Sequence, residues 1–191
     1  MKKHLFFIVL VVTSRCYAPR LMQNELGELM SQKADELVHA AYKGDQQKVT
    51  ALLEAGVAVN AADQGGRTAL INAALQSHEH LFSVLFEHGA DPNVADRQKI
   101  TPLIAAVMSY ANNQDVAEIK QMVDILIEKG AYVNAQNIGG QTALMIAANF
   151  GLKGVVKKLL KAGADDQMRN GFGQKAIDLV NIDCPVHALL K

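Results

Sequence analysis

His88-Gly89-Ala90-Asp91-Pro92-Asn93 is one of four near-identical phrases in a chain of 191 residues, and the spacing of these phrases decides the fold. The others are Ala55-Gly56-Val57-Ala58-Val59-Asn60, Lys129-Gly130-Ala131-Tyr132-Val133-Asn134 and Ala162-Gly163-Ala164-Asp165-Asp166-Gln167. From Gly56 to Gly89, Gly130 and Gly163 the steps are 33, 41 and 33 residues. A period of this size identifies a solenoid, in which one supersecondary unit stacks on copies of itself until its apolar faces are covered. Thr68-Ala69-Leu70, Thr101-Pro102-Leu103 and Thr142-Ala143-Leu144 form a second series with steps of 33 and 41. Two independent markers share one irregular spacing, so the repeat is real.

Each threonine precedes a short Ala- and Leu-rich helix, where its hydroxyl can accept from the free N–H groups of the first turn. Pro102 stands at a first helical position, where its missing N–H costs nothing. The alanines of this first helix (Ala73 and Ala74, Ala147 and Ala148) allow close helix approach. A second helix carries a thicker apolar stripe: Leu81, Val84, Leu85 and Phe86, or Val155, Val156, Leu159 and Leu160. Burying one such side chain is worth about 1.5–3 kcal/mol, so the stacked stripes make the core. The recurrent glycine ends the second helix in a left-handed conformation. Asn60, Asn93 and Asn134 follow in an extended stretch, before turns such as Asp63-Gln64-Gly65-Gly66 and Asn137-Ile138-Gly139-Gly140.

This unit resembles the ankyrin repeat. Thr101-Pro102-Leu103-Ile104-Ala105-Ala106 keeps the start of the family's Thr-Pro-Leu-His-x-Ala phrase, with Ile71, Ile104 and Met145 in place of its histidine. Gly89-Ala90-Asp91-Pro92-Asn93 matches the Gly-Ala-Asp-x-Asn phrase closely. The expected fold is therefore an all-α repeat, an ankyrin-type solenoid of stacked helix-turn-helix units with short β-turn fingers. The repeats fall at about 31–63, 64–96, 97–137, 138–170, with a C-terminal cap over 171–191. Asp35-Glu36-Leu37-Val38-His39-Ala40-Ala41 reads as the first helix of a capping repeat, so the domain spans 35–191. Leu21, Leu26, Leu29 and Met30 place a separate short helix in an extension over 19–34. The 41-residue step adds eight residues within Tyr110–Glu118, read as a tolerated loop or as an arm toward a partner.

Met1-Lys2-Lys3-His4 followed by an uncharged apolar run from Leu5 to Val12 has the pattern of an export signal over 1–18, of bacterial type and too short for a membrane span. Cys16-Tyr17-Ala18 offers a cleavage site, although Pro19 would follow the cut. Cys16 after the apolar run also permits a lipid anchor, although Arg15 stands where small residues are wanted. Cys16 and Cys184 are the only cysteines, which excludes a disulfide framework. Without Lys2, Lys3 and Arg15 the chain has 16 basic residues against 19 acidic ones, and no basic stripe that would fit nucleic acid.

His78-Glu79-His80 is the strongest metal or catalytic candidate, yet residues two apart on a helix diverge, and His78 starts a second helix where the family often has histidine. His39 is expected on the packed side of its helix. No metal, cofactor or catalytic activity is expected. The resemblance implies a surface of turn tips and first helices that grips another protein. Carried over by position, it comprises Arg67, Asn72, Arg97, Lys99, Ile100, Ile138, Gln141 and Phe150. Phe172 is expected to pack against the cap. The reading is a monomeric, exported, periplasmic binding protein that regulates, inhibits or protects an envelope enzyme. A lipid-anchored structural protein and an intracellular regulator with an uncleaved N-terminus are the alternatives.

Overall fold

The computed structural model describes residues 19–112, 115–180 and 185–190. The expected export signal over 1–18, with Cys16 and the expected cleavage site, and Cys184 lie outside these residues. Among the described residues eight α-helices stand in order: α1 Pro19–Lys43, α2 Gln46–Glu54, α3 Ala69–Leu75, α4 Phe82–Glu87, α5 Pro102–Met108, α6 Val116–Glu128, α7 Ala143–Asn149 and α8 Lys153–Lys161. A 3-10 turn, Glu79–Leu81, leads into α4, and two more, Ala176–Leu179 and His187–Leu189, follow α8. The described residues contain no strand; a lone antiparallel bridge joins Ala62 to Thr68. The structure is the all-α solenoid that the spacing and the resemblance imply.

The first helices, α1, α3, α5 and α7, pack one on the next, and each second helix packs beside its own first helix. A helix sandwiched between two others has no solvent face, so Ala69, Leu70, Ile71, Ala73 and Ala74 are buried together, as are Leu103 to Val107 and Ala143 to Ala148. The caps are those that the threonines predict. Thr68, Thr101 and Thr142 sit in extended backbone and accept from the N–H of Ile71, Ile104 and Met145 at 3.3, 3.4 and 3.2 Å. Phe82 and Phe86 meet edge to face, with ring centres 6.1 Å apart, in a core continuous from Leu37 to Leu190.

Gly56, Gly89, Gly130 and Gly163 have φ of 86°, 82°, 86° and 89°, the left-handed end that only glycine adopts cheaply. Their surroundings explain the asparagines. Asn60 donates from Nδ2 to Gly89 O (3.3 Å) and accepts at Oδ1 from Asp91 N (2.9 Å). Asn93 does the same with Gly130 O and Tyr132 N (3.0 and 2.7 Å), and Asn134 with Gly163 O and Asp165 N (3.1 and 2.8 Å). Each amide thus staples its repeat to the backbone of the next. The fourth position is Gln167, after which no further unit of this kind follows among the described residues.

The fingers repeat a second geometry. The Oδ1 of Asp63 accepts from Gly65 N and Arg67 N, and Asp96, Asn137 and Asn170 accept likewise from the residues two and four positions on, all between 2.7 and 3.0 Å. Adjacent fingers are joined through backbone: Arg97 N donates to Gly65 O (3.0 Å), Ile138 N to Gln98 O (3.0 Å) and Gly171 N to Gly139 O (2.8 Å).

Two expectations differ from the structure. The extension and the first repeat helix are not separate: α1 is one helix of 25 residues running through Gly27. A mid-helix glycine costs only about 1 kcal/mol, too little to break it. Nor is the insertion a plain loop. Residues Ser109–Ala111 form a 3-10 turn, and α6 has 13 residues where α8 has 9, so half of the added length winds into the second helix. Asp115 caps that extra turn, accepting from Ala117 N and Glu118 N at 2.8 and 3.3 Å.

Candidate functional site

The fingers and first helices share one face, and its tips carry the residues that sequence reasoning selected there. Arg67, Arg97, Lys99, Ile138 and Gln141 are all exposed. Arg67 Nε lies 3.8 Å from Asp96 Oδ2, a carboxylate almost wholly buried, which fixes the guanidinium at the base of the second finger. Lys99 has φ of 56°, a left-handed conformation that turns the second finger in place of a glycine. Gln141 is held by Asn137 Nδ2 at 3.2 Å from its Oε1. Ile138 is 62% exposed, on a finger whose backbone is tied on both sides.

Three predicted members stand elsewhere. Asn72 is buried, its Nδ2 donating to Val38 O at 3.3 Å, because it sits on the part of α3 that faces α1 rather than at a tip. Ile100 is half-buried against the core, and Phe150 packs on Tyr110, ring centres 5.2 Å apart. These two side chains pack within the array.

Phe172 reverses its expectation. It is 89% exposed at the tip of the last finger rather than packed against the cap. The Asn170 side chain takes the Phe172 N–H, so the turn closes on backbone bonds and leaves the ring outside. Position in the finger, two residues after the Asx residue, was the available signal. Ile138 and Phe172 thus stand on neighbouring fingers joined by the Gly171–Gly139 bond. Large apolar side chains exposed together on a rigid frame mark an interaction surface. Tyr132, 69% exposed, was not singled out by the sequence and lies at a loop held by Asn93 rather than at a finger.

The candidate chemistry is structural. His78 Nε2 lies 3.1 Å from Tyr42 O and His80 Nε2 3.1 Å from Gly44 O, so both rings tie α4's entry to the end of α1. His39 is exposed instead of packed, with its ring stacked on Tyr42 at 6.4 Å and 10°. Lys158 pairs with Asp124 across the second helices, a half-exposed bridge worth about 1 kcal/mol or less. Among the described residues no cluster of His, Cys, Asp and Glu could hold a metal ion, and no helix is long and apolar enough to cross a membrane.

This geometry defines a repeat scaffold that presents a side-chain surface on a backbone-bonded frame. Family models described as ankyrin repeats, in three copies and in many copies, match residues 37–136 and 126–180. The chain belongs to the ankyrin repeat family. Over 60 residues it is 47% identical to ankyrin repeat and SAM domain-containing protein 6 of Rattus norvegicus, a stretch that is 31% of this chain and 7% of that protein. The chain therefore spans a small fraction of that relative's length. Ankyrin repeats bind other proteins, and the family is typically non-enzymatic.

Proposed function

We propose that this protein is an exported binding module that holds a partner protein across its finger face and thereby regulates, inhibits or protects an enzyme of the cell envelope. The observation that carries the docking reading is the exposed pair Ile138 and Phe172, beside Arg97 and Lys99, on fingers locked by backbone bonds. Large apolar groups and arginines supply most interface energy, and a frame already rigid loses little entropy on binding. The export reading rests on Lys2, Lys3 and the apolar run to Val12.

The test of docking combines Arg97→Glu with Ile138→Asp. These side chains are exposed, so the unfolding midpoint is expected to stay within the equivalent of about 0.5 kcal/mol. Partner capture from the envelope fraction is expected to fall by at least about tenfold. Capture that survives both changes rules this surface out. The intact mass of the protein from fractionated cells tests export: a start near Tyr17 or Pro19 in the soluble envelope fraction supports it. A start at acylated Cys16 supports the lipid-anchored alternative, and an unprocessed cytosolic chain removes the export reading.

A further inference from the structure

A pocket at the N-terminal end of the finger face lies apart from the Ile138 and Phe172 tips. It is an open cleft of about 500 Å³ lined by Asp35, Val38, His39 and Tyr42 of α1, Asp63 of the first finger and Asn72 of α3. Asn72 is the anomaly. The same place in the other repeats is taken by His39, Ala105 and Ile146, so the position is polar in the first two units and apolar in the last two. Asn72 is only 5% exposed, and while its Nδ2 is bonded to Val38 O, its Oδ1 is buried with no hydrogen-bond partner. A buried acceptor without a donor is destabilising, and an alanine or isoleucine, as used further along, would remove the cost. The Asn72 amide oxygen needs a donor that the described residues do not supply.

The rest of the lining says what kind of donor fits. The His39 and Tyr42 rings stack nearly parallel, 10° apart with centres 6.4 Å apart, and both residues are exposed, leaving aromatic ring faces open to solvent. Asp35 and Asp63 add two carboxylates, and among the described residues no lysine or arginine lines the pocket. The Asp63 carboxyl is fixed in place because its Oδ1 accepts from Gly65 N and Arg67 N at 2.7 and 2.9 Å. An anion is repelled here, and a neutral apolar group leaves Asn72 Oδ1 unpaired. A planar cation with several N–H donors satisfies all three features: its face lies on the rings, and its edge serves the amide oxygen and carboxylates.

We infer that this pocket receives the guanidinium group of an arginine presented by the partner protein. The assignment rests on the docking reading for the source of the arginine, and on the pocket alone for its chemistry. An ammonium group would answer the charge but not the flat ring pair, which is why arginine is preferred to lysine.

The test titrates the full chain with a blocked acetyl-Gly-Arg-Gly-amide peptide, followed by calorimetry and by the NMR signals of His39, Tyr42 and Asn72. The peptide is expected to shift these signals saturably. The same peptide with citrulline, equal in shape but uncharged, is expected to bind at least about tenfold more weakly, as are Tyr42→Ala and Asp35→Asn with the arginine peptide. Asn72→Leu is expected to abolish binding without lowering the unfolding midpoint; should that variant fail to fold, Tyr42→Ala and Asp35→Asn still decide. Equal binding of the citrulline peptide, or shifts only at other residues, overturns the assignment. Free arginine binding as tightly as the blocked peptide overturns the partner as its source. The titration needs no partner, so its failure while partner capture persists removes the pocket alone. Success when unaltered fingers capture nothing removes the docking reading alone.

Discussion

The last full repeat and the closing segment begin alike and end differently. Asn137 and Asn170 build the same finger, each Oδ1 accepting two backbone N–H groups at 2.9 and 3.0 Å. After it, Thr142 caps the seven-residue helix α7, whereas Lys175 leads only to a four-residue 3-10 turn, Ala176–Leu179. In the second case Asp178 Oδ2 reaches back to the Lys175 N–H at 2.8 Å. A finger is therefore a local product, made by one Asx side chain and the neighbouring backbone. A first helix is a collective one, stable at seven residues because other helices cover it on both sides, since isolated helices so short are marginal in water.

This contrast is open to breaking. The largest effect is expected from equivalent core positions: Leu144, 1% exposed, against Ile177, half-buried. Leu144→Ala should cost about 2–5 kcal/mol by chemical denaturation, and Ile177→Ala less than half of that. Equal losses would show that the closing turn is packed as fully as a sandwiched helix.

Next come the paired finger glycines. Gly140 and Gly173 have φ of 72° and 77°, but a Cβ on Gly140 would stand 2.8 Å from Gly171 N, whereas one on Gly173 would meet nothing within 4 Å. Gly140→Ala is expected to cost about 2–4 kcal/mol, combining backbone strain with a clash against unyielding backbone. Gly173→Ala should cost about 1 kcal/mol from strain alone. A similar midpoint shift for both would mean that the finger contact yields freely.

The staples rank third. Asn134→Ala removes bonds of 3.1 and 2.8 Å to the next repeat and should cost about 1–2 kcal/mol. Gln167→Ala, at the position whose side chain makes no such bond to a next unit among the described residues, should stay within about 0.5 kcal/mol. Smallest is the cap: Thr142→Ala should lose about 1 kcal/mol, and Lys175→Thr should lose none.

The fold was legible because its markers are backbone requirements. A left-handed residue at Gly56 or Gly163 and a helix cap at Thr68 or Thr142 restrict residue type directly, and they recur with the period. The purpose of Asn60, Asn93 and Asn134 was not legible, since their partners lie in the next unit and appear only once the stack exists. The face was read in part. Fingertip exposure follows from the turn, which located Arg97, Lys99 and Ile138. Burial of Asn72 and exposure of His39 depend on how α3 and α1 roll against each other, and Phe172 on where its turn closes. The merging of the extension into α1 could not be read either, because a single interior glycine weakens a helix without ending it.

The asparagine staples and the finger ladder address only main-chain atoms of the neighbouring unit. Every amino acid but proline offers the same N–H and C=O, so the joint does not depend on which side chains the neighbour displays. Where the finger glycines and the apolar helix faces are kept, repeats joined in this way are interchangeable parts: one can be duplicated or exchanged, and its exposed tips rewritten, while the seam to the next still closes.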